Sequence, residues 1–207
     1  LSKELNVSLV TIRNDLAILE KDGMLTRFHG GAIKKENREM KNNLSDFSNK
    51  NKEIIAKKAL ELVKDKTTIV IGSGTTTAVF AHLLSQSKKK ELTILTNNIL
   101  AIPYLIVNHN FHIIIIGGKY QRDNHSTFSP SLSDSIKSMT IDQMFSGADG
   151  YNDQKITSKN DGVSFSSEIS SYAKETYVLA ESYKEGKSFF IPVMNGKNVT
   201  KLINEKD

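Results

Sequence analysis

The sequence predicts an α/β protein in two parts, a small helical and hairpin segment followed by a larger domain with a mostly parallel sheet. Three observations carry this reading. Between residues 67 and 116, short β-branched runs alternate with amphipathic stretches. The first run, Ile69-Val70-Ile71, breaks into Gly72-Ser73-Gly74-Thr75-Thr76-Thr77 and then opens into an apolar-striped segment ending near Leu84. Ahead of these, residues 1–33 show two short helical patterns, a glycine stop and two apolar arms around a Gly-Gly turn.

A chain of 207 residues with 38% hydrophobic content can bury a sizeable core. It has no cysteine, so disulfides and thiolate metal sites are excluded, and its five histidines show no metal-ligand spacing. No metal, cofactor or catalytic residue is assigned. The longest apolar runs, such as Phe111-His112-Ile113-Ile114-Ile115-Ile116, fall far short of the roughly 20 residues that span a bilayer. No export signal opens the chain, so no membrane partner is expected and the expected compartment is the cytoplasm. The net charge of +5 permits a nucleic-acid partner. Residues 1–41 hold eight Lys/Arg against six Asp/Glu, however, so charge alone does not argue for DNA.

Taken in order, residues 1–6 predict a short helix, turned at Val7-Ser8. Ser8 suits the N-cap of a second helix over residues 9–22, whose buried stripe would be Leu9, Ile12, Leu16 and Leu19. Gly23 stops it. The solvent face near its start carries Thr11, Arg13 and Asn14, where a recognition helix meets base edges; Arg suits guanine and Asn suits adenine. Residues 24–33 read as a hairpin around Gly30-Gly31, placed as a wing, from which Arg27 and His29 would reach the sugar-phosphate backbone or a minor groove. Together these are a partial winged helix-turn-helix. The alternative is a plain amphipathic helix with exposed Arg and Asn.

Residues 34–50 are polar and read as a linker, and residues 51–65 as a helix with Ile54, Ile55, Ala59, Leu62 and Val63 on one face. Then come a strand over residues 68–71, a helix over 75–85, a strand over 92–96, a helix over 100–107 and a strand over 111–116. This order implies a Rossmann-like parallel sheet with helices on both faces, whose ligands bind beyond the carboxyl ends of the strands. Three polar turns stand at such ends: Gly72 to Thr77, Thr96-Asn97-Asn98, and Gly117-Gly118-Lys119. They are expected to converge on one crevice. The first is an anion cradle, because free N–H groups at a helix start, the positive end of its dipole and several hydroxyls face the same point. It lacks the patterns of a nucleotide P-loop or a dinucleotide fold.

Further on, the sequence predicts a helix over residues 131–139, a short strand over 143–146, a helix over 164–174 and a strand over 177–180. Lys184 follows that last strand, where it would serve as counter-charge to a phosphate, although an exposed loop lysine looks the same.

Val7-Ser8, Thr11-Ile12-Arg13-Asn14-Asp15-Leu16, Leu19-Glu20, Gly23 and Arg27-Phe28-His29-Gly30-Gly31-Ala32 resemble the DNA-binding segment of DeoR-type transcriptional repressors. The family usually has a second arginine where Asn14 stands, and its first helix has no counterpart here, so the N-terminus reads as truncated. The larger part resembles the DeoR sensor domain through Lys52, Ile55-Ala56, the Gly-Ser-Gly-Thr-Thr-Thr turn, Thr96-Asn97-Asn98, Gly117-Gly118, Asp142, Gly147-Ala148-Asp149-Gly150, Ile156-Thr157, Glu168 and Ser182-Tyr183-Lys184. Ser129 where glycine is frequent, a shortened helix after Glu168, and Glu181 in place of a frequent aspartate depart from it. The resemblance implies a homo-oligomeric sensor that binds a sugar phosphate and releases operator DNA, and it adds Asp149, Gly150 and Glu168 to the effector residues.

That sensor domain is itself similar to ribose-5-phosphate isomerases, and Asp149, Lys159 and Glu168 follow the order of an aspartate, a lysine and a carboxylate base. The glycine-rich loop beside the enzyme's lysine is absent. The expectation is therefore a non-enzymatic repressor of carbohydrate genes: a DNA-binding domain over residues 1–33, a linker over 34–50 and a sugar-phosphate sensor over 51–207. A sugar-phosphate isomerase, or a sensor that no longer binds DNA, is the alternative.

Overall fold

Ile69, Val70 and Ile71 are each wholly buried because they lie near the centre of a six-stranded parallel sheet. The computed structural model describes residues 2–5, 7–21, 25–28, 31–34, 44–129, 139–159 and 164–206, and divides into two compact units, residues 1–41 and 42–207.

In the first unit, α1 (Ser2–Leu5) and α2 (Leu9–Lys21) precede an antiparallel pair, β1 (Leu25–Phe28) and β2 (Gly31–Lys34). Ser8 caps α2 through its Oγ, which accepts the Thr11 amide at 3.0 Å. The expected stripe on α2 is only half realised: Ile12, Leu16 and Leu19 are half-buried, whereas Leu9 is 64% exposed. Gly31 belongs to β2 and pairs with Phe28, so it is not part of the turn; Gly23, His29 and Gly30 lie outside the described residues.

The second unit opens with a 3-10 turn, Leu44–Asp46, inside the stretch expected to be linker, and with α3 (Lys50–Leu62), where a helix is expected. It continues with β3 (Thr68–Ile71), α4 (Thr75–Ser85), β4 (Leu92–Thr96), α5 (Ile102–Leu105) and β5 (Phe111–Ile115). Then follow β6 (Lys119–Gln121), β7 (Ser126–Phe128), β8 (Ile141–Gly147), β9 (Gly150–Tyr151) and β10 (Lys155–Ser158). The last elements are α6 (Ser164–Ser170), β11 (Ala173–Leu179), a 3-10 turn Ser182–Lys184, β12 (Ile191–Asn195) and β13 (Lys201–Ile203).

The main sheet runs β13-β11-β8-β3-β4-β5, every pair parallel. From β3 the chain walks outward through β4 and β5, then returns to lay β8 on the other side of β3. The boundary between β3 and β8 is thus the topological switch point, where a crevice opens beyond the strand ends. Alternate side chains serve opposite faces: Ile69, Ile71, Ile94 and Phe145 join Ile55, Ala59, Phe80 and Leu84 of α3 and α4, whereas Val70, Leu95, Met144 and Val178 join Phe165 and Ile169 of α6. Phe145 stacks between Phe80 and Tyr177, with ring centroids 4.6 and 5.1 Å apart.

Some expected boundaries shift. α3 stops at Leu62 rather than residue 65, because buried Gln143 closes its end: Nε2 donates to the Leu62 carbonyl at 2.9 Å and Oε1 accepts the Lys64 amide at 3.1 Å. The expected helix over 100–107 contracts to α5, and the one over 164–174 ends at Ser170, where Ser170 and Ser171 hydroxyls turn back onto the carbonyls of Ser167 and Glu168. Ala173 and Lys174 then enter β11, which begins four residues before the expected strand and ends one residue short of it, and its partner β8 is longer than expected at both ends. Residues 131–138 lie outside the described residues.

Gln143 also donates to Glu175 at 3.0 Å, and Glu175 accepts from Lys64 at 2.7 Å and from the Tyr177 hydroxyl at 3.1 Å. The Lys64 hydrogen bond holds the Glu175 carboxyl below its ordinary value, and Lys174 with the Thr68 amide does the same for Asp142. Groups so depressed stabilise the fold above their unfolded pKa and lose that contribution as pH falls through their folded pKa. Urea midpoints should therefore fall as pH is lowered from about 5, more steeply in the parent than in E175Q; equal slopes would contradict the assignment.

Candidate functional site

At the switch point the turn between β3 and α4 is fixed from within. Thr77 Oγ1 shares its one hydrogen between the carbonyls of Gly72 at 2.7 Å and Gly74 at 2.9 Å, and Asn98 Nδ2 reaches the same two oxygens at 3.2 and 2.9 Å. Thr96 Oγ1 donates to the Ile71 carbonyl at 2.7 Å and accepts the Asn98 amide at 3.0 Å. Gly74, the N-cap of α4, has φ +119°, a conformation that L side chains rarely adopt. The carbonyl side of the turn is thereby consumed, while the amides of Ser73, Gly74, Thr75 and Thr76 have no acceptor among the described residues. Across the switch, a Cβ added to Gly147 would stand 3.0 Å from the Ser73 carbonyl, so the ends of β3 and β8 close on one another.

Between them lies a cavity of about 190 Å³ lined by Ser73, Gly74, Thr75 and Thr76 on one side and Gly147, Ala148 and Asp149 on the other. Ser158, Ser166, Lys184, Val193 and the tip of the β6–β7 hairpin, Asp123-Asn124-His125, complete it. Lys184 Nζ donates to the Ala148 carbonyl at 2.6 Å. Burial pushes its ammonium below the ordinary lysine value, against the raising influence of Asp149 and Glu181. Asp149 Oδ2 accepts from Ser158 Oγ and the Lys159 amide, both at 3.0 Å. The cavity thus offers unbonded amides, threonine hydroxyls and one partly desolvated cation to an anion.

Of the residues expected at the effector site, Ser73, Gly74, Thr75, Thr76, Asp149 and Lys184 line this cavity. Gly72 and Thr77 lie beneath it, as do Thr96, Asn97 and Asn98, which are buried and brace the loops instead of lining the crevice. Asn97 donates to the Thr127 carbonyl at 3.0 Å and so ties down the hairpin. Gly117, Gly118 and Lys119 lead into β6, away from the cavity, because β4 and β5 lie on the far side of β3 from the switch. Gly150 is buried in β9, against the Lys187 backbone. Glu168, on α6, is not among the lining residues; Ser166 of the same helix is. The hairpin tip, Ser158 and Ser166 escaped sequence reasoning, since no motif marks them.

In the first unit Arg13 and Asn14 are exposed on α2, and Thr11 Oγ1 lies 2.8 Å from Ser8 Oγ. Arg27 is turned onto α2: its Nε donates to Glu20 Oε2 and its amide to Oε1, each at 2.8 Å. These two bonds tie β1 to α2, while the Arg27 side chain stays 41% exposed.

Family models match along nearly the whole chain, a DeoR-like helix-turn-helix domain over residues 1–38 and a DeoR C-terminal sensor domain over residues 48–206. The chain belongs to the DeoR family. A lactose phosphotransferase system repressor of Lactococcus lactis subsp. lactis is 31% identical across 87% of this DeoR-family chain and 73% of the relative. The HTH-type transcriptional regulator GolR of Listeria innocua serovar 6a is 33% identical across 73% of this chain and 60% of that one. These relatives are transcriptional regulators, which makes this DeoR-family chain a regulator and not an enzyme. The fold is shared with Pyrococcus horikoshii OT3 translation initiation factor eIF-2B, with a TM-score of 0.53, 16% identity and coverage of 75% of this chain and 62% of that one. No described helix is long and apolar enough to cross a membrane.

The brace under the DeoR-family turn is testable apart from any ligand. N98A should lower the free energy of unfolding by about 2–4 kcal/mol, since several buried carbonyl bonds are lost. K119A, exposed and outside the cavity, should change it by less than about 0.5 kcal/mol. Similar small changes in both, by urea denaturation, would contradict the brace.

Proposed function

We propose that this protein represses carbohydrate-metabolism genes and releases operator DNA when a phosphorylated sugar occupies the crevice at the switch point. The observation that carries the reading is the row of unbonded amides at residues 73–76 facing the same cavity as the partly desolvated Lys184. The phosphate would sit at that row with Lys184 as counter-charge, and Asp149 would meet sugar hydroxyls. A cavity of about 190 Å³ suits a monosaccharide phosphate better than a nucleotide cofactor, because drug-sized ligands take roughly 300–1,000 Å³. The lactose-system relatives support the carbohydrate setting by name.

In this reading residues 1–33 bind DNA, 34–50 connect, and 51–207 sense, in a cytoplasmic homo-oligomer. Thr11, Arg13 and Asn14, presented by the Ser8-capped α2, discriminate bases, and the hairpin carrying His29, Gly30 and Gly31 positions the domain on the backbone. Glu168, which stands where the resemblance puts an isomerase's carboxylate base, is not among the cavity-lining residues, and the regulator relatives support the non-enzymatic reading.

A route from crevice to connecting segment exists within the second unit. The Lys184 amide donates to the Glu181 carbonyl at 3.0 Å, and the buried Glu181 carboxylate accepts from Asn49 Nδ2 at 3.0 Å. Asn49 is the N-cap of α3, two residues after Phe47, whose carbonyl accepts from Lys52 Nζ at 2.7 Å. An anion drawing Lys184 off the Ala148 carbonyl would therefore bear on residues 44–49, and the coupling free energy lies in that difference.

Mobility-shift titration with DNA flanking its own gene should give a complex at low salt that a hexose monophosphate in a panel dissolves. K184M should keep the complex and lose the response. N49D, which retains the helix cap and sets a carboxylate against Glu181, should bind the sugar phosphate yet release DNA less. No complex at low salt, or a complex indifferent to the whole panel, would overturn the proposal.

A further inference from the structure

The β6–β7 hairpin tip lines the same cavity as the amide row, and its chemistry differs from an anion site. We infer that Asp123, Asn124 and His125 form the selective wall for the sugar, recognising hydroxyls and rejecting a second phosphate. This rests on the sensor reading above and extends it to residues that neither family motif nor spacing singled out.

The tip is held in place. His125 has φ +51°, unusual for a residue with a side chain, and its carbonyl accepts the Ile99 amide at 2.9 Å. Its Nδ1 lies 2.9 Å from the Tyr120 hydroxyl, which leaves Nε2 for another partner. Asn124 Oδ1 accepts from Ser126 Oγ at 2.7 Å, which leaves its amide N–H groups to donate. Ser126 is fully buried and pairs with Gln121 in the hairpin, and Thr127 Oγ1 donates to the Ile116 carbonyl. Strained backbone overdetermined by surrounding bonds is how a protein fixes a recognition group.

The tip therefore presents a carboxylate, an amide donor and an imidazole nitrogen, a mixed set that matches neighbouring hydroxyls. Asp123 and Asp149 bring two carboxylates to a cavity whose lining holds one lysine, Lys184. One phosphate at residues 73–76 satisfies the lysine and the amides. A second, near Asp123 and Asp149, would meet carboxylate with no further lysine or arginine in the lining to offset it.

Calorimetric titration of the whole chain with inorganic phosphate, a panel of hexose monophosphates and the corresponding bisphosphates tests this. The tightest monophosphate should bind at least about tenfold more tightly than inorganic phosphate and than its bisphosphate. D123A should weaken the monophosphate about tenfold or more and leave inorganic phosphate unchanged, while D123N should narrow the gap to the bisphosphate, both with unaltered melting. Equal effects of D123A on monophosphate and phosphate, or none on either, would overturn the hairpin's role while the sensor stands. Binding of no phosphate compound would overturn both.

Discussion

The carbonyl oxygens of Gly72 and Gly74 must be bonded away from the crevice for the amides of the same turn to serve an anion, and Thr77 with Asn98 does this from below. Four contacts from two side chains, sharing three hydrogens, act on two acceptors in a buried or half-buried setting where an unmade bond is costly. Everything at the site depends on that arrangement. α4 begins where it does because Gly74 takes a positive φ there, and the ends of β3 and β8 approach closely because Gly147 presents no side chain to Ser73.

Sheet order then decides which loops share the crevice. β8 lies beside β3 on the side opposite β4 and β5, so the loop after β8, with Ala148 and Asp149, faces the anion turn. The turns directly after β4 and β5, Thr96-Asn97-Asn98 and Gly117-Gly118, are not among the lining residues, and only the hairpin tip beyond β5 is. The Thr96-Asn97-Asn98 loop becomes a brace that serves both sides of the site: Asn98 holds the anion turn, and Asn97 holds the hairpin whose tip closes the cavity. On the remaining side, Lys184 is bonded to the Ala148 carbonyl and Glu181 to the N-cap of α3.

Local chemistry made much of this readable in the sequence. β3, α4 and β4 fall at the expected residues because β-branched runs and glycines punctuate them. Ala173-Lys174-Glu175 carries no strand signal; these residues are drawn into β11 by pairing with β8, where Glu175 stands opposite Gln143. The turn between β3 and α4 was legible because its motif is contiguous. That Asn97, Asn98, Gly117 and Lys119 do not line the crevice was not, since strand ends can be read from a sequence but the side of the switch on which a strand lies cannot. The hairpin tip carries its information in a backbone angle at His125 and in partners distant along the chain.

Amide-resolved NMR during titration of the chain with a hexose monophosphate tests the central claim most directly, because it reports which backbone N–H groups meet the phosphate. The amides of Ser73, Gly74, Thr75 and Thr76 should shift most, with those of Asp149 and Lys184 following. Shifts concentrated at Gly117, Gly118 and Lys119, or in residues 1–41, with the turn after β3 unmoved, would contradict the account.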